Sequence, residues 1–195
     1  MNFLAHMRLS CGNDTLVTGN FLGDLLRNSE IRNLPANIQE GVKLHRKIDI
    51  YTDTHPVVRR STRLLHARHG KYASVLVDIY YDFFLSRHWE LFHPEPLVVF
   101  TREVYEQLLS HQQVMPERVR QYLRAMINDD WLMNYSTYEG MAFTFGKTAR
   151  RVSNSQLFSG AVDSLKKYEA QLDADFLSFF PDILTYVEGE CGMRE

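Results

Sequence analysis

A chain of 195 residues, 45% of them hydrophobic, can bury one substantial core and is too short for two. Its formal net charge of -2 gives no overall pull toward nucleic acid or an anionic membrane, so a charged partner has to be met by a local patch. No stretch is apolar and long enough to span a membrane, the opening residues lack the regions of a secretion signal, and Cys11 and Cys191 make no disulfide framework. A soluble protein of the reducing cytoplasm is expected.

Apolar residues recur at helical spacing from end to end, while alternating runs are short and rare. This predicts an all-α fold, a single compact multi-helix domain over residues 1–195. Only residues 97–100 look strand-like, and they can equally start a helix. A first short helix or turn carries Phe3, Leu4 and His6, and a polar turn follows at Cys11-Gly12-Asn13-Asp14. In the next unit, 16–26, Gly19 and Gly23 let another backbone approach and put the Asp24 carboxylate in a crowded interior. A loop through Asn33 and Pro35 leads to a helix of roughly 36–51. Thr52-Asp53-Thr54-His55-Pro56 reads as a stop and restart, with Asp53 or Thr54 capping a helix of 56–69 that ends at Gly70. The longest apolar-faced segment, 72–89, is closed by Pro94 and Pro96, and further helices are expected at 97–112, 116–129, 134–149, 156–172 and 173–189.

Three features bear on chemistry. His45 and Asp49 lie four residues apart on one helix face, and Asp53 follows about 80° further round. Imidazole and carboxylate presented together suit a divalent ion, although a solvated helix face has the same spacing. Asp78 and Asp82, also four apart, are hemmed in by large apolar residues, which implies a metal, an arginine partner or an acidic stripe facing water. His88 follows Arg87 at that helix end, where it can shuttle protons, bind phosphate or cap. His6, among Phe3, Leu4 and Met7, reads more readily as a satisfied core histidine than as a ligand. Finally, from Thr54 to Val77 there is no acidic residue, while Arg59, Arg60, Arg63, Arg68 and Lys71 are positive. That strip is either a solvated basic helix or a docking surface for an acidic partner. Walker, dinucleotide, zinc-protease and nucleophile-elbow motifs are absent.

Met1-Asn2-Phe3-Leu4-Ala5-His6, Gly19-Asn20-Phe21-Leu22-Gly23-Asp24, Leu44-His45-Arg46-Lys47-Ile48-Asp49 with Thr52-Asp53, and Asp78-Ile79-Tyr80-Tyr81-Asp82 with Phe84-Leu85-Ser86-Arg87-His88-Trp89 together resemble the acyl carrier protein phosphodiesterase family. Order and spacing match through the first 90 residues, and beyond them the likeness is in helical, aromatic character and in Phe179-Phe180-Pro181. The resemblance implies an HD-domain-like metal phosphohydrolase that removes 4'-phosphopantetheine from holo acyl carrier protein, with Mn²⁺ as cofactor and Mg²⁺, Fe²⁺ or Co²⁺ as alternatives. It implies Asp24, His45, Asp49 and Asp78 as metal ligands with His6 next, and Asp82 or His88 as the group that positions water or protonates the leaving serine oxygen. Arg46 would neutralise the phosphate, and Arg59, Arg60 and Arg63 would meet the acidic carrier. One departure stands out: where the family has Asp-His before Phe-Leu, this chain has Asp82-Phe83. Two other readings remain: a hydrolase of nucleotides or other small phosphoesters, and a non-catalytic helical module that grips an acidic partner.

Overall fold

The computed structural model describes residues 1–150 and 154–192. Its helices are α1 (Phe3–Arg8), α2 (Asp14–Leu22), α3 (Asn28–Ile31), α4 (Ala36–Thr54), α5 (Pro56–His69), α6 (Ala73–Arg87), α7 (Trp89–Phe92), α8 (Leu97–Ser110), α9 (Glu117–Asn128), α10 (Trp131–Asn134), α11 (Tyr138–Ala149) and α12 (Ala161–Glu190). Short 3-10 turns join some of them, and there is no strand among the described residues. The all-α expectation holds, and residues 97–100 begin α8.

Helix α6 is the axis of the core, and its sequence explains why. Leu76, Val77, Ile79, Tyr80, Tyr81, Phe83, Phe84 and Leu85 are all buried, so the helix is apolar around most of its circumference, as a helix wrapped by others must be. Helix α12 covers one side through Phe176 and Phe179, whose ring centroids each lie 5.6 Å from that of Tyr81. Helix α5 is keyed to the same place by a buried polar network. Asp175, 2% exposed, accepts from Arg60 Nε at 3.0 Å and from Ser61 Oγ at 2.6 Å, and Ser61 also meets the Tyr81 hydroxyl at 2.9 Å.

Helices α2 and α4 touch backbone to backbone. A Cβ on Gly19 would sit 2.1 Å from the Ile38 carbonyl oxygen, and one on Gly41 would sit 2.6 Å from that of Leu16, so only glycine permits this approach. The contact carries His45 of α4 against the end of α2, which is the geometric basis of the site below.

Several expectations need correcting. The two helices expected at 156–172 and 173–189 are one, α12, which continues through Pro181 because tertiary packing of Phe176, Phe179, Phe180 and Ile183 outweighs the lost backbone hydrogen bond. Neither Asp53 nor Thr54 caps α5: α4 runs on through both, and His55 holds the junction with Pro56 at the first helical position. The helix expected at 134–149 starts later, at Tyr138 of α11, where the Thr137 side chain caps it by accepting from Gly140 N–H, and residue 134 ends the separate α10. Cys11 and Cys191, expected to have no joint role, form a disulfide with a Cα–Cα distance of 6.5 Å, tying the turn after α1 to the end of α12. That pairing removes the cysteine argument for a reducing compartment. Among the described residues no helix is long and apolar enough to cross a membrane.

Candidate metal centre

The site is built where α1, α2 and α4 meet. Gly23, just past α2, leaves room for an imidazole: a Cβ there would lie 2.4 Å from the His45 ring. Into that space α4 projects His45, 4% exposed. Asn20, one turn back on α2, donates its amide N–H to the His6 carbonyl at 2.9 Å and to Ser10 Oγ at 3.0 Å. These two bonds fix the amide orientation, so its oxygen faces His45 Nδ1 at 3.0 Å and must accept from it. The His45 proton is thereby held on Nδ1 whenever the ring is neutral, and Nε2 is left with its lone pair pointing into the site.

Two carboxylates converge on that nitrogen, Asp24 Oδ1 at 3.1 Å and Asp49 Oδ2 at 3.1 Å. The other Asp49 oxygen lies 3.1 Å from His6 Nε2, and the His6 and His45 rings stack with centroids 4.2 Å apart. His6 is 2% exposed, yet neither ring nitrogen has a partner in hydrogen-bond geometry among the described residues. A buried imidazole without partners is costly unless something else occupies its lone pair. One ligand atom each from His6, His45 and Asp49 lies within 4.8 Å of the others. Two imidazole nitrogens and carboxylate oxygens around an orphaned histidine are a donor set that fits a divalent transition ion.

Without an ion the cluster is held by charge. Burial opposes a proton on His45, but hydrogen bonds to Asp24 and Asp49 outweigh it and push the imidazole up to about 9. Burial pushes His6 the other way, down to about 4. For Asp49 burial is outweighed by the close contacts with His45 and His6, which hold the carboxyl below its ordinary range. The two histidines therefore give opposite pH limbs. A raised His45 contributes stability that is full below the ordinary value of 6.5 and is lost as pH rises through about 9. A lowered His6 contributes stability that is full above 6.5 and is lost as pH falls through about 4. Asp82, raised by burial to about 7, contributes stability that is lost as pH rises from its ordinary value of 3.8 through about 7, which offsets the His6 limb and leaves the His45 limb as the readable one. Chelated protein is expected to lose on the order of 2 kcal/mol between about pH 6.5 and 9, as read from denaturant midpoints. A flat profile over that range would contradict this arrangement of charges.

The remaining candidates lie around this cluster in different ways. Asp78 borders it: its carboxylate takes the Met1 ammonium at 2.9 Å, which also lies 3.9 Å from Asp49, and burial raises its pKa. Asp82 is fully buried and turned toward α1, accepting from Leu4 N–H at 2.8 Å and Ala5 N–H at 3.2 Å, so it anchors the first turn that carries His6. Burial pushes its carboxyl up to about 7. His88 lies ten residues beyond Asp78 on the same helix line, about 15 Å at 1.5 Å per residue, and bonds Asp173 at 2.7 Å. Arg46 is exposed and donates to Asn28 at 2.6 Å. Phe83 packs on Tyr138 at 5.3 Å between ring centroids, with the Arg87 guanidinium 4.7 Å above its ring. A histidine at that position would face α11 and Arg87.

Two cavities meet at Asp78. One, of about 330 Å³, also reaches Asp24 and is walled by aromatic residues of α9, α10 and α11. The other, of about 380 Å³, is lined by Asp53, Arg59 and Arg63. Arg59 Nε donates to the Asp53 carbonyl at 3.0 Å, whereas Arg60 is tied to the buried Asp175 on another side of α5. Asn20 is the functional candidate that the sequence did not single out. Its signal was present in the spacing of Asn20 and Asp24, the same four residues that separate His45 and Asp49.

The family model described as acyl carrier protein phosphodiesterase matches residues 1–183. Proteins of that name from Photorhabdus laumondii and Yersinia pestis are 29% and 28% identical to this chain, over 97% and 94% of it and 96% of each relative. One from Escherichia coli O6:H1 is 30% identical over 94% of this chain and 96% of its own length. No solved structure matches. With nearly the whole chain covered by the family model and by these relatives, this chain belongs to the acyl carrier protein phosphodiesterase family.

Proposed function

We propose that this protein hydrolyses the phosphodiester joining 4'-phosphopantetheine to the serine of holo acyl carrier protein, releasing apo carrier. The observation that carries the reading is the convergence of His6, His45 and Asp49, in a chain of this family, beside Asp24 and Asp78, which line two cavities. A divalent ion, Mn²⁺ in our reading, would be held by His6, His45 and Asp49 with Asp24 beside them, and would supply Lewis acidity at the phosphoryl oxygens and a nucleophile at neutral pH.

The chain's own residues do the rest. Asn20 holds the His45 proton on Nδ1 so that Nε2 keeps its lone pair, and Asp49 spans both imidazoles and fixes their spacing. Asp82 keeps His6 in register by capping the first turn of α1. Asp78 borders both cavities with its pKa raised by burial, which suits it to return a proton to the leaving serine oxygen. That assignment moves the acid role from Asp82 and His88, which are engaged elsewhere, to their neighbour on α6. Arg59 and Arg63, facing the second cavity, would meet the acidic carrier, while Arg60 is held by Asp175 and Arg46 by Asn28. Phe83 points away from the cluster, so the missing histidine is no bar to activity in this reading. An HD-type architecture, a single catalytic domain over the whole chain and a cytoplasmic location complete the proposal.

The test is to incubate the protein with holo carrier and Mn²⁺, with and without chelator, and weigh the carrier by mass spectrometry. Conversion to apo carrier that chelator blocks is expected. Carrier that stays holo in the presence of bound metal would overturn the reading, and turnover of nucleotides in the same assay would move it to a small-phosphoester hydrolase.

A further inference from the structure

The cavity of about 330 Å³ beside the metal centre has a composition unlike the rest of the site. Tyr122 from α9, Trp131 from α10 and Phe143 from α11 form its walls, with Tyr135 at its base. Thr144 and Thr148, one helical turn apart on α11, add hydroxyls along one side. The cation at this wall, Lys147, is occupied. Its ammonium pairs with Asp129 at 2.5 Å and lies 4.6 and 4.8 Å from the Trp131 and Phe143 ring centroids. The other charged groups in the lining are Asp24, which meets His45, and Asp78, which is paired with the Met1 ammonium.

We propose that this cavity binds the pantetheine arm of the substrate: an uncharged, narrow chain with a gem-dimethyl group, a hydroxyl, two amides and a terminal thiol. The inference rests on the phosphodiesterase reading and adds to it which half of the substrate goes where. A phosphate positioned at His6, His45 and Asp49 has two substituents. The carrier protein is too large for any cavity here, and the arm is not. A volume of this size lies at the lower end of the roughly 300–1,000 Å³ of small-molecule pockets, suited to a slender ligand. Aromatic walls match the gem-dimethyl and methylene groups, and the two threonine hydroxyls can pair with the amides. The second cavity, lined by Asp53, Arg59 and Arg63, is charged and fits the acidic carrier instead. Asp78, common to both, marks the point where the two halves of the substrate join.

The probe is free pantetheine, which has no phosphate and so reports the arm site apart from the metal. Of the two tryptophans, Trp131 lines the cavity while Trp89 is buried elsewhere, so Trp131 fluorescence is the signal. Saturable quenching is expected in the native protein. Thr144→Phe, which fills the cavity, is expected to weaken pantetheine binding at least about tenfold and to raise the KM for holo carrier to match. Phe143→Ala, at a position 40% exposed and therefore harmless to folding, is expected to weaken both by about three- to tenfold. Native protein that gives no saturable quenching, or variants that bind pantetheine as the native protein does, would overturn the proposal. If pantetheine binds and Thr144→Phe abolishes that binding while native protein leaves holo carrier intact, the arm site stands and the phosphodiesterase reading falls.

Discussion

His45→Ala is expected to lower cleavage of holo acyl carrier protein on the order of a thousandfold and to remove stoichiometric Mn²⁺ from the purified protein. The His45 imidazole meets both Asp24 and Asp49 while its other nitrogen is held by Asn20, an arrangement that alanine cannot reproduce. Asn20→Ala separates ligation from orientation. It leaves the Nε2 donor in place and frees the ring to turn or change tautomer, which is expected to weaken metal affinity by about 10–100-fold, with activity recovered at high Mn²⁺. Metal content by plasma emission, with turnover measured across a Mn²⁺ series, reads both variants. Full activity in metal-free His45→Ala would show that the cluster is structural. Asn20→Ala that behaves as the native protein at limiting Mn²⁺ would remove the orienting role.

How much of this was readable beforehand depends on what each residue's role requires. Helical periodicity is local, so the all-α fold and most helix limits were legible, and the four-residue step from His45 to Asp49 placed two donors on one face. Other roles depend on contacts between distant segments. Whether a buried carboxylate faces an ion or the N–H groups of another helix is decided by the partner it meets, and Asp82 meets Leu4 and Ala5, more than seventy residues earlier. Asn20 acts only because α2 is pressed against α4 by the Gly19 and Gly41 approach. His6 read as a satisfied core histidine, and burial is correct, but neither ring nitrogen has a partner in hydrogen-bond geometry among the described residues. The Cys11–Cys191 bridge spans 180 residues, and no local pattern announces such a pair. The basic strip was visible as composition, but its division into Arg59 and Arg63 on one cavity and Arg60 on Asp175 required the packing of α12.

That division leads to the second large effect. Reversing Arg59 and Arg63 together to glutamate is expected to lower kcat/KM for holo carrier by about 10–100-fold, with a much smaller loss on bis(p-nitrophenyl) phosphate, which has no protein surface to dock. Both side chains are exposed on α5 and line a cavity with Asp78, so under the proposed reading they would meet a carrier whose serine phosphate is held at the cluster. Rim charges act mainly through encounter, so added salt should reduce the native rate on holo carrier and leave the variant nearly indifferent. Arg60→Glu is the contrasting case. It would leave the buried Asp175 carboxylate facing a second acid, and its main effect is expected as a loss of stability, seen in the denaturation midpoint. Equal losses on the carrier and on the small diester in Arg59→Glu/Arg63→Glu would mean that these arginines hold the phosphate itself. The docking surface would then have to be sought elsewhere on the rim of the two cavities.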